Sequence, residues 1–244
     1  MEEPVKRFYR DATVEKVDGG FAVALDGRVL RTQRERRIQC LPSRASAELL
    51  AEEWARQGDT IDPSDFPLRA LADFALEEIA HAPEAATGRI LRFGETDTLC
   101  YRAHPDEPLH VRQIAVWDPL LADLERRLCV RFRRIGGVSY RPQHPETLHA
   151  LHDVLTPLHP VVLAAAEQMA SLSASLVITL LATLPGADED ALWSAATLEE
   201  EWQAEQWGRE TTAEERRRRR RAEFATARRF ALAALDGERI LPGS

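Results

Sequence analysis

The apolar residues change their spacing at Pro42, and this change constrains the fold more than any other feature of the sequence. Before it, Phe21, Val23 and Leu25 alternate with small residues, and a period of two is typical of a β-strand. Asp-Gly pairs on either side of this run supply tight turns between short strands. After Pro42 the apolar residues recur at spacings of three and four, the period of a helix. The sequence therefore predicts an α+β protein, with a small β-rich N-terminal domain followed by a mainly α-helical C-terminal domain.

The N-terminal domain is predicted to span 1–105 and the helical C-terminal domain 106–244. After the strands, the elements expected in the first domain are helices after Pro42, from Pro67 and over 83–92, and an interior strand over 96–102. The second domain is expected to be helical apart from an irregular or extended break over 130–140. Its predicted helices cover 109–117, 119–129, 145–157, 160–184, 188–207 and 212–235.

One apolar segment, Val161 to Leu184, is long enough to span a bilayer. Glu167 and Gln168 lie inside it, and a carboxylate there costs roughly 3 kcal/mol on insertion scales. Its alanines and serines suit close packing against other helices. We therefore predict a buried helix that does not span a membrane.

The net charge of −8 argues against a general nucleic-acid-binding protein, because neutralising phosphates requires a positive excess. The charge is unevenly distributed, since Arg216–Arg221 is a run of six arginines. Glu214, Glu215 and Glu223 lie within one helical turn of this run, so a solvated helix face is its favoured interpretation. Docking of an acidic protein partner, or of RNA or lipid, is the alternative.

The chain lacks the motifs that usually mark catalytic, metal or phosphate sites. It contains no G-x-S-x-G, no P-loop and no G-x-G-x-x-G sequence. His149 and His152 could share a helix face, but no Cys pair or HExxH pattern accompanies them. Three scattered cysteines suggest buried thiols in a reducing compartment. The acidic Met1–Val5 segment resembles neither a secretory signal nor a transit peptide, so we expect a cytoplasmic protein with no metal and no cofactor.

An acidic segment with two tryptophans begins at Leu198 and continues to Gly208. Its three adjacent glutamates fan round a helix at about 100° per residue. A run of acids is usually a solvated helix face, and the residues alone favour that interpretation. The alternative is a binding surface, because Trp202 and Trp207 among polar groups are typical of binding hot spots.

Taken together, the motifs resemble the family of chaperones that bind the alpha subunit of the soluble head of the F-type ATP synthase during assembly. The resemblance runs over nearly the whole chain, and the order and spacing of its short motifs make it specific. The motifs are Arg7–Arg10, Leu25–Thr32, Glu53–Gln57, Ile61–Pro63, Phe66–Leu68, Glu95–Arg102, Trp117–Leu120, Leu198–Gln203 and Trp207–Gly208. The sequence departs from the family pattern at Gln33, Phe66 and Asp73, which lie in predicted turns and helix starts.

The resemblance implies a β-rich N-terminal domain joined to a helical one, with no catalysis and no cofactor. It implies the alpha subunit as partner, held by a monomeric chaperone that covers the surface later occupied by the beta subunit. The residues that it assigns to partner binding are Glu199, Glu200, Gln203 and Trp207. Those with an expected structural or inter-domain role are Trp54, Asp97 and Trp117.

Two other functions remain open on the residues. The first is a small-molecule enzyme that uses a groove between the two domains, with Asp97 and the C-terminal glutamates as acid and base. A deep apolar pocket holding a carboxylate with a raised pKa would favour it, whereas a broad surface around Trp207 would favour the chaperone. The second is an RNA- or membrane-surface protein that works through Arg216–Arg221.

Overall fold

The structure, a computed structural model, describes residues 5–137 and 140–242. Met1–Pro4, most of the segment on which the absence of a targeting signal was predicted, and residues 138–139 of the predicted extended break lie outside this range. The chain divides into two compact units. The first comprises the chain up to Pro83 with two later segments, and the second comprises the remainder. The later segments of the first unit are His159–Ala165 and Thr226–Glu238. The domain boundary near residue 105 stays a prediction.

The first unit contains a three-stranded antiparallel meander, as the turn pattern predicts. Its strands pair in the order β1-β2-β3, with β1 at Ala12–Val17, β2 at Gly20–Leu25 and β3 at Arg28–Val29. The turn into β2 requires glycine, because a Cβ on Gly20 would lie 2.2 Å from the Leu41 carbonyl oxygen. Ala22 to Leu25 are buried, so the last four residues of β2 form the centre of this sheet.

Two helices complete the N-terminal part of the first unit. Helix α1 spans Arg44–Ala55, and the Ser43 hydroxyl accepts the Ser46 N–H at 3.0 Å as its N-terminal cap. Helix α2 spans Pro67–Phe74 and continues into a π-helical turn over Ala75–Ile79. These helices confirm the change of period at Pro42.

The remaining helices follow in chain order and make the rest of the described chain mainly helical. They are α3 at Pro83–Glu95, α4 at Pro108–Leu128, α5 at Pro145–Leu155, α6 at Pro160–Ser173, α7 at Leu176–Ala182, α8 at Glu189–Ala196, α9 at Leu198–Trp207 and α10 at Thr211–Leu235. Two short strands, β4 at Tyr101–Arg102 and β5 at Ile135–Gly136, pair in parallel. The α+β prediction is thus confirmed, with a small strand region followed by a mainly helical part.

The prediction of a strand over 96–102 is wrong for most of its length. Residues Thr98–Cys100 form a 3-10 turn, and only Tyr101–Arg102 is a strand. The Asp97 carboxylate accepts the Leu99 N–H at 3.0 Å and so stabilises the turn in place of an extended ladder. The apolar pattern of the sequence cannot distinguish this turn from an interior strand, because Leu99 and Cys100 are buried in either case.

Three predicted helix boundaries are also wrong. The two helices predicted on either side of residue 118 form the single helix α4, which contains Pro119 and is held by the buried Trp117 and Leu121. The helix predicted over 160–184 divides at Ala174, whose φ is 50°. The helix predicted over 188–207 divides at Thr197. None of the described helices combines the length and hydrophobicity that a membrane crossing requires.

Candidate functional site

In the second unit, helix α9 and the part of α10 up to Ala225 form a hairpin that brings two charge runs together. Gly208, with a φ of 94°, ends α9, and α10 starts three residues later. Glu200 and Arg220 form an ion pair at 2.8 Å, and Glu201 and Arg217 form one at 2.6 Å. The acids of one helix therefore neutralise part of the arginine run of the other.

The remaining members of the arginine run differ in their partners. Arg219 lies 3.7 Å from Glu223 on the same helix, and Arg221 pairs with Asp190. Arg216 and Arg218 are exposed and form no ion pair within 5–137 and 140–242. The acids within one turn of the run thus account for only part of its neutralisation, because α8 and α9 supply carboxylates from outside α10.

A groove runs along this hairpin, and we call it the α9–α10 groove. It encloses about 510 Å³ and is open to solvent on one side. One wall carries Glu200, Gln203 and Trp207, and the other carries arginines of α10. The Trp207 side chain is 80% exposed, which is unusual for the largest apolar side chain. An exposed aromatic side chain beside paired charges is typical of a binding surface.

The α10 wall of the groove is a polar surface with a single small apolar residue. The residues of this wall are Ala213, Arg216, Arg217 and Arg220. Arg220 is fixed from three sides: it pairs with Glu200, donates to the Leu172 carbonyl oxygen at 2.8 Å, and lies over the Trp193 ring at 5.7 Å. The wall is thus pre-organised rather than free to rearrange.

Three of the four predicted partner-binding residues line this groove, and the fourth lies elsewhere. Glu200, Gln203 and Trp207 follow the helical spacing of three and four. Glu199 instead accepts a hydrogen bond from the Gln113 side chain at 2.7 Å. Gln113 is fully buried, and its own side-chain oxygen accepts the Ala103 N–H at 2.8 Å. Glu199 therefore connects α9 to α4 inside the second unit.

Asp97 lies in the interior of the second unit. Its carboxylate is fully buried and accepts hydrogen bonds from the Leu99 N–H, the Ser175 hydroxyl and the Val177 N–H, at 2.9–3.0 Å. Burial raises its pKa to about 6, although these donors favour the ionised form. It joins the 3-10 turn to the N-terminus of α7 and has no contact with solvent.

The two tryptophans predicted to have structural roles are buried in different units. Trp117 is fully buried in the second unit, where its indole N–H donates to the Ala195 carbonyl oxygen at 2.8 Å. The Arg102 guanidinium lies 5.0 Å from the Trp117 ring centroid. Trp54 is buried in the first unit, where its ring packs edge-on against Tyr9 at 5.5 Å.

Several residues of the groove were not predicted, although the sequence contained a signal for them. Arg217 lies 16 residues after Glu201, and Arg220 lies 20 residues after Glu200. Gly208 separates the glutamates from the arginines. A helical hairpin with this short connection brings the acids and the arginines face to face. A further pair on the other side of α9 joins Arg112 to Glu205 at 2.6 Å.

Metal-binding geometry is absent from the part of the chain that the structure describes. No group of three His, Cys, Asp or Glu side chains there could hold a metal ion. His149 instead lies 3.5 Å from Asp153 on the same helix.

An α+β chain with an exposed tryptophan in an open groove, and with the raised-pKa carboxylate of Asp97 sealed in the core, has the features of a protein that binds other proteins. Its fold is similar to that of Atp12 from Paracoccus denitrificans, with a TM-score of 0.88 and 33% identity over 94% of this chain and 98% of that one. A point mutant of the same Paracoccus protein gives equal values. The Atu1473 protein of Agrobacterium tumefaciens matches with a TM-score of 0.86 and 38% identity, covering 94% of this chain and 86% of that one.

The family model described as ATP12 chaperone protein matches residues 6–125. The chain belongs to the ATP12 chaperone family, a family of chaperones for ATP synthase assembly, as the motifs had indicated. The α9–α10 groove lies outside the residues that the family model matches. In that part of the chain, the similarity rests on the solved structures, whose matches cover 94% of this chain.

Proposed function

We propose that this chain binds the unassembled alpha subunit of the F-type ATP synthase and shields its beta-facing surface until the beta subunit arrives. The observation that carries the proposal is Trp207, which projects from the α9–α10 groove with most of its surface exposed. Unassembled alpha would expose a large apolar patch, and such patches cause aggregation. The proposed role requires no catalysis and no cofactor, and the chaperone would act as a monomer.

The electrostatics of the groove suit a complex that must later dissociate. The ion pairs of Glu200 with Arg217 and Arg220 hold both walls in place before the client binds. Pre-organised walls reduce the ordering cost of binding, and a partly polar rim keeps affinity moderate while it orients the partner. Trp207 then supplies a compact apolar anchor, since a few aromatic residues carry most of the binding energy in such interfaces.

The enzyme alternative has less support. Asp97, its proposed acid or base, is fully buried and already accepts hydrogen bonds from three donors. A general acid or base must reach its substrate within hydrogen-bond distance. The RNA- or membrane-surface alternative is weakened because four members of the Arg216–Arg221 run already pair with carboxylates. The charge left for phosphates is correspondingly small.

The test is a binding experiment with purified alpha and beta subunits. We expect the chaperone to form a one-to-one complex with alpha in size-exclusion chromatography with light scattering, and to suppress alpha aggregation. Added beta subunit should release the chaperone from alpha. Isolated beta serves as the control and should not be captured. Failure to bind alpha, or equal capture of both subunits, would contradict the proposal.

Replacing Glu200 with glutamine should weaken alpha binding about fivefold, roughly 1 kcal/mol, because it removes the carboxylate that pairs with both Arg217 and Arg220 across the groove. The matched control is Glu223→Gln. Both glutamate side chains are 41% exposed and pair with an arginine of α10, but Glu223 does not line the groove. Isothermal titration calorimetry of alpha with each variant gives the comparison. Equal affinities for the two variants would remove Glu200 from the contact.

A further inference from the structure

A second groove lies on the first unit, and its charged residues are mainly arginines. It encloses about 470 Å³ between the first strands and helices α1 and α2. We call it the N-terminal groove. Its charged lining consists of four arginines and one aspartate, which are Arg28, Arg31, Arg36, Arg69 and Asp26.

These arginines are not neutralised in the way that the arginine run of α10 is. Within 5–137 and 140–242, no carboxylate forms an ion pair with Arg28, Arg31 or Arg36. Arg31 donates only to the backbone carbonyl oxygen of Arg36, at 2.7 Å. The Nε of Arg69 lies 4.0 Å from an Asp73 oxygen, at the limit of an ion pair. The groove therefore carries an uncompensated positive field.

The one acid among the described residues that line the groove is already occupied. The Asp26 carboxylate accepts the backbone N–H of Asp11 at 2.9 Å and that of Arg10 at 3.1 Å. These hydrogen bonds lower the pKa of Asp26, so it remains a satisfied anion that closes the turn between β2 and β3. It has little capacity left to neutralise the arginines around it.

A buried donor in the same groove lacks an acceptor. Trp54 lines the groove and is 4% exposed, and its indole N–H has no hydrogen-bond partner in the described part of the chain. Burying a polar group without a partner is unfavourable. The Arg69 guanidinium lies 5.1 Å from the Trp54 ring centroid. The guanidinium thus lies over the ring and adds to the positive charge of the groove.

The groove also has an apolar edge. Phe8 lines it and is 68% exposed, with its ring edge-on to Tyr9 at a centroid distance of 5.3 Å. A free inorganic anion would leave this aromatic surface uncovered. A ligand that combines carboxylates with apolar side chains would use the arginines and Phe8 together.

We propose that the N-terminal groove binds an extended acidic segment of a polypeptide. Carboxylates of the segment pair with Arg28, Arg31 and Arg36, and an apolar side chain covers Phe8. A polypeptide is favoured over nucleic acid because the whole chain carries a net charge of −8, which repels a continuous polyphosphate. This site is separate from the α9–α10 groove and does not depend on its function.

The experiment uses the full chain and a fluorescein-labelled octapeptide of alternating glutamate with alanine or leucine, followed by fluorescence anisotropy. The double variant Arg28→Glu/Arg31→Glu should weaken binding at least about tenfold, since each charge-assisted contact becomes a repulsion. Arg92→Glu/Arg218→Glu introduces the same charge change on exposed arginines of the second unit that line neither groove, and should leave peptide binding within about twofold. Circular dichroism melting shows that each variant is folded.

Several outcomes would overturn the proposal. One is absence of peptide binding, and another is equal loss in both double variants, which would indicate a non-specific charge effect. If labelled oligothymidine binds as tightly and is lost in Arg28→Glu/Arg31→Glu, the ligand is nucleic acid instead. If free glutamate competes as well per carboxylate as the octapeptide, the groove recognises a small anion rather than a polypeptide. Because the assay contains no alpha subunit, its result is independent of the proposed chaperone activity.

Discussion

Replacing Trp207 with alanine should weaken alpha-subunit binding by about two orders of magnitude without changing the melting temperature of the chaperone. Truncation of a central aromatic hot spot costs about 2–4 kcal/mol of binding energy, and every 1.4 kcal/mol is tenfold. The fold should be unaffected because four fifths of the Trp207 side chain is already in contact with solvent. Helix α9 also ends there, so alanine would remove no interior helical packing.

Calorimetric titration with the alpha subunit measures the affinity of the variant. Thermal melting of the free variant measures its melting temperature. Tyr140→Ala is the matched control, since it truncates another exposed aromatic side chain of the second unit that does not line the groove. Its affinity for alpha should equal that of the parent chain. Unchanged affinity in Trp207→Ala would exclude the α9–α10 groove as the client site. A lowered melting temperature would instead indicate a structural role for the side chain.

The elements that the sequence predicts well are those determined by local chemistry. The Asp-Gly turns determine the meander, and the serine before α1 supplies its cap. The errors occur where a distant side chain intervenes. Ala174 adopts a left-handed conformation and Ser175 starts a new helix because Asp97, 78 residues earlier, accepts the Ser175 hydroxyl. No local pattern contains that contact.

The same distinction between local patterns and distant contacts applies to the candidate site. Helical periodicity is sufficient to place Glu200, Gln203 and Trp207 on one face, and the structure brings them together. The same periodicity leaves open which of the adjacent glutamates points inward. Glu199 does so because Gln113 on α4 donates to it, and that partner is 86 residues away. The neutralisation of the arginine run likewise depends on the turn at Gly208.

The two grooves differ in how their charges are balanced, and this difference suggests different occupants. In the α9–α10 groove, carboxylates of the same unit hold the arginines, and the exposed group is aromatic. In the N-terminal groove, Arg28, Arg31 and Arg36 form no ion pair with a carboxylate of the described residues. We expect binding at the N-terminal groove to be strongly sensitive to salt and binding at the α9–α10 groove to be less so.

Replacing Asp97 with alanine should destabilise the fold by about 3–5 kcal/mol, because three buried donors lose their acceptor at once and each unsatisfied group costs about 1–3 kcal/mol. Such a loss is a large fraction of the stability of a typical domain. The matched control is Asp62→Ala. Asp62 also caps a 3-10 turn and accepts a backbone N–H at 2.8 Å, but it is exposed, so its loss should cost about 1 kcal/mol or less.

The contribution of Asp97 to the free energy of unfolding should also depend on pH, and it should fall as the pH rises. Burial raises its pKa to about 6 in the folded protein, above the ordinary value of 3.8. Between these values the folded state binds the proton more tightly than the unfolded state, so the stability that this proton contributes is fully present below about pH 4 and is lost as the pH rises through about 6. Urea unfolding measures the free energy of unfolding across this pH range. The value for the parent chain should exceed that for Asp97→Ala by more at the acidic end of the range. A constant difference would mean that the carboxylate stays ionised in the core, held by its three donors.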